Sequence, residues 1–144
     1  MLYSIENEQI EIEIIPKQES AIQGNRIVEL GYVLDWAIKL QYKHSKKCTL
    51  GMLSVKEEKR RGTGLTSTIV FHCNMCSEII SFQTEDPTRP KSKINVGAVW
   101  GTLANGTSYE HLNELLSCMD IPNMNRPMFY DLENELGKVI ITVG

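Results

Sequence analysis

Apolar side chains recur along this chain with two different periods. Residues 10–15 alternate isoleucine with glutamate, the period of a strand with one apolar face, and Pro16 ends the run. Gln18 to Gly24 shows no period and reads as a linker. From Arg26 the spacing becomes helical: Ile27, Leu30, Leu34, Ala37 and Ile38 fall on one side of a helix predicted over about residues 26–41, with Asn25 as its N-cap. Strand patterns return at Leu50–Lys56, Ser67–His72 and Ile79–Gln83, the first two joined through Arg61-Gly62-Thr63-Gly64, whose glycines permit positive φ. Pro87 and Pro90, among polar residues, mark a boundary.

The last third of the chain is predicted to be helical. Ile94 to Asn105 ends at Gly106. Thr107, three residues before Glu110, forms a capping box for a helix striped with Tyr109, Leu112, Leu115, Leu116 and Met119. Pro122 stops that helix, and Asn125 caps another that carries Pro127 in its first turn and Phe129, Leu132, Leu136 and Val139 on one face. Val139–Val143 reads as a helix end or a short strand. The expected class is α+β: an N-terminal helix with a small antiparallel, zinc-ribbon-like sheet, followed by three helices in a helix-turn-helix-like outline. The expected units are a leader over 1–24, an α+β module over 25–85 and a helical module over 94–140.

Chemistry enters where the strands meet the cysteines. Cys73-Asn74-Met75-Cys76 places two thiols on one side of a tight turn, a spacing that suits one tetrahedral metal ion. Cys48 and His44 lie upstream, and the strand-turn-strand between them and the turn brings all four together. One structural Zn²⁺ on His44, Cys48, Cys73 and Cys76 is the reading; reduced structural or redox thiols are the alternative. His72 competes with His44 as a ligand, but it neighbours Cys73 on a strand and should point to the opposite face. Cys118, Trp36 and Trp100 have apolar surroundings and are expected in the core.

At 144 residues, 42% of them hydrophobic, the chain has enough apolar surface for a core of its own, so metal would reinforce rather than replace it. No apolar run approaches a membrane span, and no basic-then-apolar leader opens the chain, so an intracellular, reducing location is expected, with thiols or metal ligands favoured over disulfides. The net charge of −3 is unevenly spread. Residues 1–20 hold five acids, whereas residues 39–61 hold eight bases. Lys56, Lys59, Arg60 and Arg61 would meet phosphates at a hairpin tip if nucleic acid is the partner; the plainer reading is a solvated turn. Arg126, opening the last helix, is the one base placed for base-edge contact, and Asp131, Glu133 and Glu135 make that helix acidic.

The stretch from Arg26 to about Gly137 resembles the Mutator-like transposase domain. The matching pieces are Arg26-Ile27-Val28-Glu29-Leu30-Gly31-Tyr32, Glu58-Lys59-Arg60-Arg61-Gly62, Phe71-His72-Cys73-Asn74-Met75-Cys76, Thr84-Glu85-Asp86-Pro87, Asn95-Val96-Gly97-Ala98-Val99-Trp100-Gly101-Thr102 and Asn123-Met124-Asn125-Arg126-Pro127-Met128-Phe129. The resemblance implies a zinc-knuckle-like module followed by a helical segment. It also implies strand-cutting chemistry in a separate RNase H-like domain. Cys48 lacks a second cysteine beside it, which leaves His44 as the fourth ligand. The expected role is non-catalytic DNA binding, at transposon ends or a host site and in the nucleus, with a protein-interaction module as the alternative. A thiol oxidoreductase is disfavoured: Cys73 follows a strand, whereas a redox cysteine wants a helix N-terminus to lower its pKa.

Overall fold

The computed structural model describes residues 20–60 and 64–143, with side chains as far as Lys138. The expected strand at 10–15 lies outside them. The protein is α+β, with the order α1 (Leu30–Ser45), β1 (Leu53–Lys59), β2 (Thr68–Cys73), β3 (Ile79–Gln83), α2 (Lys93–Ala104), α3 (Tyr109–Cys118) and α4 (Arg126–Val143). The closing apolar run is therefore helix.

The three strands form an antiparallel meander in the order β1-β2-β3. Its register pairs Leu53 with Cys73, Val55 with Phe71, Phe71 with Ile80 and Ile69 with Phe82. Since side chains alternate across a strand, these residues share one face. Phe71 and Phe82 stack there with centroids 5.3 Å apart. Thr68, Val70 and His72 take the other face. A bulge between Val55 and Glu57 keeps Glu57 opposite Val70 and Lys59 opposite Thr68.

The first helix begins four residues later than the sequence suggests, because Arg26 to Glu29 is held extended by long-range bonds. Asn25 ties the chain to the end of α3, donating from its side chain to Met119 O (2.8 Å) and from its backbone to Asp120 O (2.8 Å). Gly24 adopts φ +74, and a Cβ there would fall 2.5 Å from Asp120 O. Arg26 binds Glu58 through two 2.7 Å bonds, and Glu29 N–H donates to Thr84 O (2.9 Å). Glu29 also takes a bidentate Arg89 (2.7 and 2.8 Å), which holds its carboxyl below the usual carboxylate range. Asn25 is thus a tether between elements, not an N-cap.

The second half packs around Val99, Leu112, Leu116, Ile121, Met124 and Phe129, and Leu65, from the segment joining β1 to β2, belongs to the same core. Leu65 N–H donates to Asn95 Oδ1 (2.8 Å), while Glu85 accepts from Ile94 N–H (3.0 Å) and Ser92 Oγ (2.5 Å) where α2 starts. Ser92 caps α2 by accepting from Asn95 N–H (3.1 Å), and Asn125 caps α4 by accepting from Met128 N–H (3.0 Å). The cap of α3 lies one residue beyond the expected Thr107. Thr107 Oγ1 donates instead to Thr102 O (3.0 Å), and Ser108 takes the cap with His111 Nδ1 2.9 Å from its hydroxyl.

Three expected core residues are exposed. Cys118 stands two positions past buried Leu116, about 200° round the helix, and Trp100 stands one past buried Val99. Trp36 packs its ring near Tyr32 (6.2 Å), beneath the Lys39 ammonium (5.7 Å), at the edge of the buried side of α1.

Candidate metal centre

Four donors from three parts of the chain converge at one end of the sheet. His44, in the last turn of α1, is almost fully buried, and its carbonyl accepts from Lys47 N–H (3.0 Å) and Cys48 N–H (2.9 Å), which turns the chain sharply and brings Cys48 back beside it. Cys73 ends β2 and is buried; Cys76 follows in the turn and is exposed. Ser77 then takes φ 58 to redirect the chain into β3, and Cys73 N–H donates to Glu78 O (3.0 Å) across the knuckle.

The ligand atoms of His44, Cys48, Cys73 and Cys76 all lie within 4.8 Å of one another. Cys48 Sγ is 3.9 Å from Cys73 Sγ, and Cys76 Sγ is 3.5 Å from His44 Nε2. A disulfide needs sulfurs about 2.05 Å apart, so these thiols are not bonded to each other. A tetrahedron with metal–sulfur bonds of about 2.3 Å and metal–nitrogen bonds of about 2.0–2.1 Å has S–S edges of about 3.8 Å and S–N edges of about 3.6 Å. The spacing of the four donors fits a single tetrahedral ion.

Electrostatics points the same way. The Cys76 N–H, 3.4 Å from Cys73 Sγ, holds that thiol down to about 6 against the cost of burial, helped by Met75 N–H at 3.3 Å. Cys76 is pulled down by the Glu78 amide, but burial and the thiols of Cys73 and Cys48 outweigh it and leave Cys76 raised. Thiolates this close cannot all ionise beside one another, and a bound cation removes that conflict.

Two residues outside the expected ligand set build the pocket. A Cβ at Gly51 would fall 2.3 Å from Cys73 Sγ and 2.7 Å from Cys48 Sγ, so only glycine lets the second turn close. Asn74 ties the turns together: its Oδ1 accepts from Met52 N–H (3.0 Å) and its backbone N–H donates to Met52 O (3.4 Å). The signal for Gly51 is in the sequence, since Cys48-Thr49-Leu50-Gly51 repeats the Cys73–Cys76 spacing with glycine in place of the second cysteine. His72 lies on the other face of the sheet, with Nε2 3.5 Å from Ser54 Oγ and Nδ1 buried without a partner.

The basic residues divide into two groups. Lys43, Lys46 and Lys47 surround the metal end, whereas Lys56, Lys59 and Arg60 lie towards the other end of β1, whose seven residues span roughly 20 Å. Lys56 and Lys59 face solvent, the latter 3.9 Å from Glu57. Arg60 is exposed, and its guanidinium donates to Gly64 O (3.0 Å) and Asn123 O (3.3 Å). Arg61 lies outside the described residues. Arg126 pairs with Glu110 (3.1 Å) and covers the Tyr109 ring at 4.8 Å.

The family model for Mutator-like transposases matches residues 24–143. The chain belongs to the Mutator-like transposase family. No curated protein and no solved structure matches it. In this Mutator-like domain the match spans the four-donor cluster, the sheet and the helical core alike. None of its described helices is long and apolar enough to cross a membrane.

Proposed function

We propose that this domain is a non-catalytic, zinc-stabilised DNA-binding module of a Mutator-like transposase, acting in the nucleus on transposon ends or a host site. The observation that carries the metal reading is the group of three sulfurs and one imidazole within 4.8 Å. That donor set suits zinc, which has no geometric preference of its own and takes thiolate and imidazole readily in closed structural sites. His44 and Cys73 are buried, and three thiol ligands with one imidazole leave no position open to substrate, so the ion would hold the end of α1 against the sheet.

DNA binding rests on the family and on the exposed lysines of β1, with Arg61 continuing them in sequence. Each phosphate contact releases counterions, so affinity should fall steeply with salt. The engagement of Arg126 with Glu110 favours the alternative, a protein-interaction module, for the start of α4.

Two experiments decide. Native and denaturing mass spectrometry of the 144-residue chain, with and without a strong chelator, should show one zinc that is absent from Cys73→Ser; a metal-free native mass after purification with zinc and reductant sinks the metal reading. A salt-titrated DNA-binding assay then compares wild type with a variant that converts Lys56, Lys59 and Arg61 to glutamate. An unchanged affinity and salt slope would move the interaction module ahead.

A further inference from the structure

The face of the sheet that carries Thr68 and Val70 lines a cleft of about 470 Å³ together with the helical half, a volume in the range of small-molecule sites. Strand register sets the sheet side of it. Lys59 pairs with Thr68 and Thr68 with Gln83, so these three side chains form one row across the sheet, and Val70 and Ser81 form part of the next. Neighbours in a row stand roughly 4.8 Å apart. The helices add Asn95 of α2 and Met128 of α4.

Asn95 is only 6% exposed. Its Oδ1 holds Leu65 N–H (2.8 Å), but its Nδ2 meets no acceptor among the described residues and is left to the cleft it lines. A donor at so buried a position gains most from an acceptor held beside it. Gly64 keeps the space open: a Cβ there would fall 2.5 Å from Asn95 Nδ2 and 2.8 Å from Met128 Sδ.

The other polar groups are uncommitted too. The side chains of Thr68, Ser81 and Gln83 have no hydrogen-bond partner among the described residues. The Lys59 ammonium has Glu57 at 3.9 Å, an exposed pair that contributes little and can be exchanged. Arg60 brings a second cation to Gly64 O (3.0 Å). Two cations and an amide donor call for an anionic ligand rich in acceptors, while the hydroxyls and the Gln83 amide serve hydrogen bonds of either sense. Val70 and Met128 offer apolar surface. An uncharged sugar would leave the cations unused, and inorganic phosphate would leave the apolar surface and Asn95 unused.

We propose that this cleft binds a nucleoside phosphate, the phosphate at Lys59 and Thr68 and the nucleoside against Val70 and Met128 within reach of Asn95 and Gln83. The unit is either a free nucleotide or an unpaired one in a strand, and only the second case rests on the DNA reading.

The test is nitrogen-edited NMR of the full chain, purified with zinc and reductant and titrated with inorganic phosphate and with each deoxynucleoside 5′-monophosphate. A monophosphate should shift the side-chain amide signals of Asn95 and Gln83 and bind more tightly than inorganic phosphate. Gln83→Glu, at an exposed position, should weaken binding about tenfold or more, because a donor beside a phosphate ester becomes a charged acceptor, and leave the rest of the spectrum in place. Thr68→Val should weaken it several-fold. Amides unmoved by every monophosphate overturn the proposal, as does inorganic phosphate bound equally tightly or affinity indifferent to Gln83→Glu. A short single strand that moves the same two amides places the cleft on DNA; monophosphates that move them where the strand does not assign it to free nucleotides. Duplex binding that leaves both amides still while no monophosphate binds overturns the cleft and leaves the DNA reading standing, since Gln83 and Thr68 lie outside the basic set of that reading.

Discussion

Gly51 stands so close to the Cys73 thiol that a single added methyl would fall 2.3 Å from Sγ, well inside any real carbon–sulfur contact. The neighbour cannot yield, since Cys73 Sγ is also fixed by two backbone N–H groups and by its place at the end of β2. Gly51→Ala must therefore separate the two turns and spread the donors. The expected outcome is a loss of zinc affinity of at least tenfold, read by competition with a chromophoric chelator, in a protein whose helical core still folds. Unchanged affinity would mean that Gly51 does not shape the site.

The two histidines beside the cysteines make a sharper test of the ligand set. His44 Nε2 lies 3.5 Å from Cys76 Sγ, whereas His72 points to the opposite face of the sheet. His44→Ala should abolish stoichiometric zinc binding in native mass spectra. His72→Ala should keep the ion. The reverse result would show that the fourth ligand had been misassigned, and loss in both would point to a fold too fragile to report on ligands.

Much of this site could be read from residue types alone. Three thiols and an imidazole at this spacing suit one tetrahedral ion, and Ile79–Gln83 is strand in both pattern and structure. Helix starts were harder. Asn25 has the chemistry of an N-cap, but the 2.8 Å bond to Met119 O that it makes instead spans 94 positions, and no local pattern encodes such a bond. Thr107 and Ser108 are equally good caps in isolation, and the nearby Thr102 carbonyl decides between them. The exposure of Trp36 and Trp100 was hidden for the same reason: apolar neighbours in sequence do not say which side of a helix finds a partner.

The Arg26–Glu58 pair links the extended segment before α1 to the sheet, and it makes stability depend on pH. Arg26 holds the Glu58 carboxyl below the usual carboxylate range, with Ser67 Oγ adding a 2.8 Å bond. A group depressed on folding contributes stability above its unfolded value of about 4.3 and loses it as pH falls through the folded value. Glu58→Gln should thus destabilise the protein by roughly 2–4 kcal/mol at pH 7, because it leaves a largely buried guanidinium without its charge partner. Chemical denaturation of both proteins from pH 7 to pH 3 should show that gap closing as the acid limb is reached. A gap independent of pH would assign the effect to packing.

Leu65 joins the two halves. It comes from the segment between β1 and β2, is 4% exposed, and lies in the core built by α2, α3 and α4, while Arg60 reaches across to Asn123 O. Leu65→Ala should cost about 2–5 kcal/mol, the range for removing a buried leucine side chain, with the higher end expected where neighbours cannot collapse into the gap. The loss should appear in one cooperative transition followed both by far-ultraviolet circular dichroism, which weights the helices, and by release of zinc from the sheet end. Two separated transitions, with Leu65→Ala shifting only the helical one, would show instead that residues 25–85 and 94–140 unfold as independent units and that the shared leucine does not couple them.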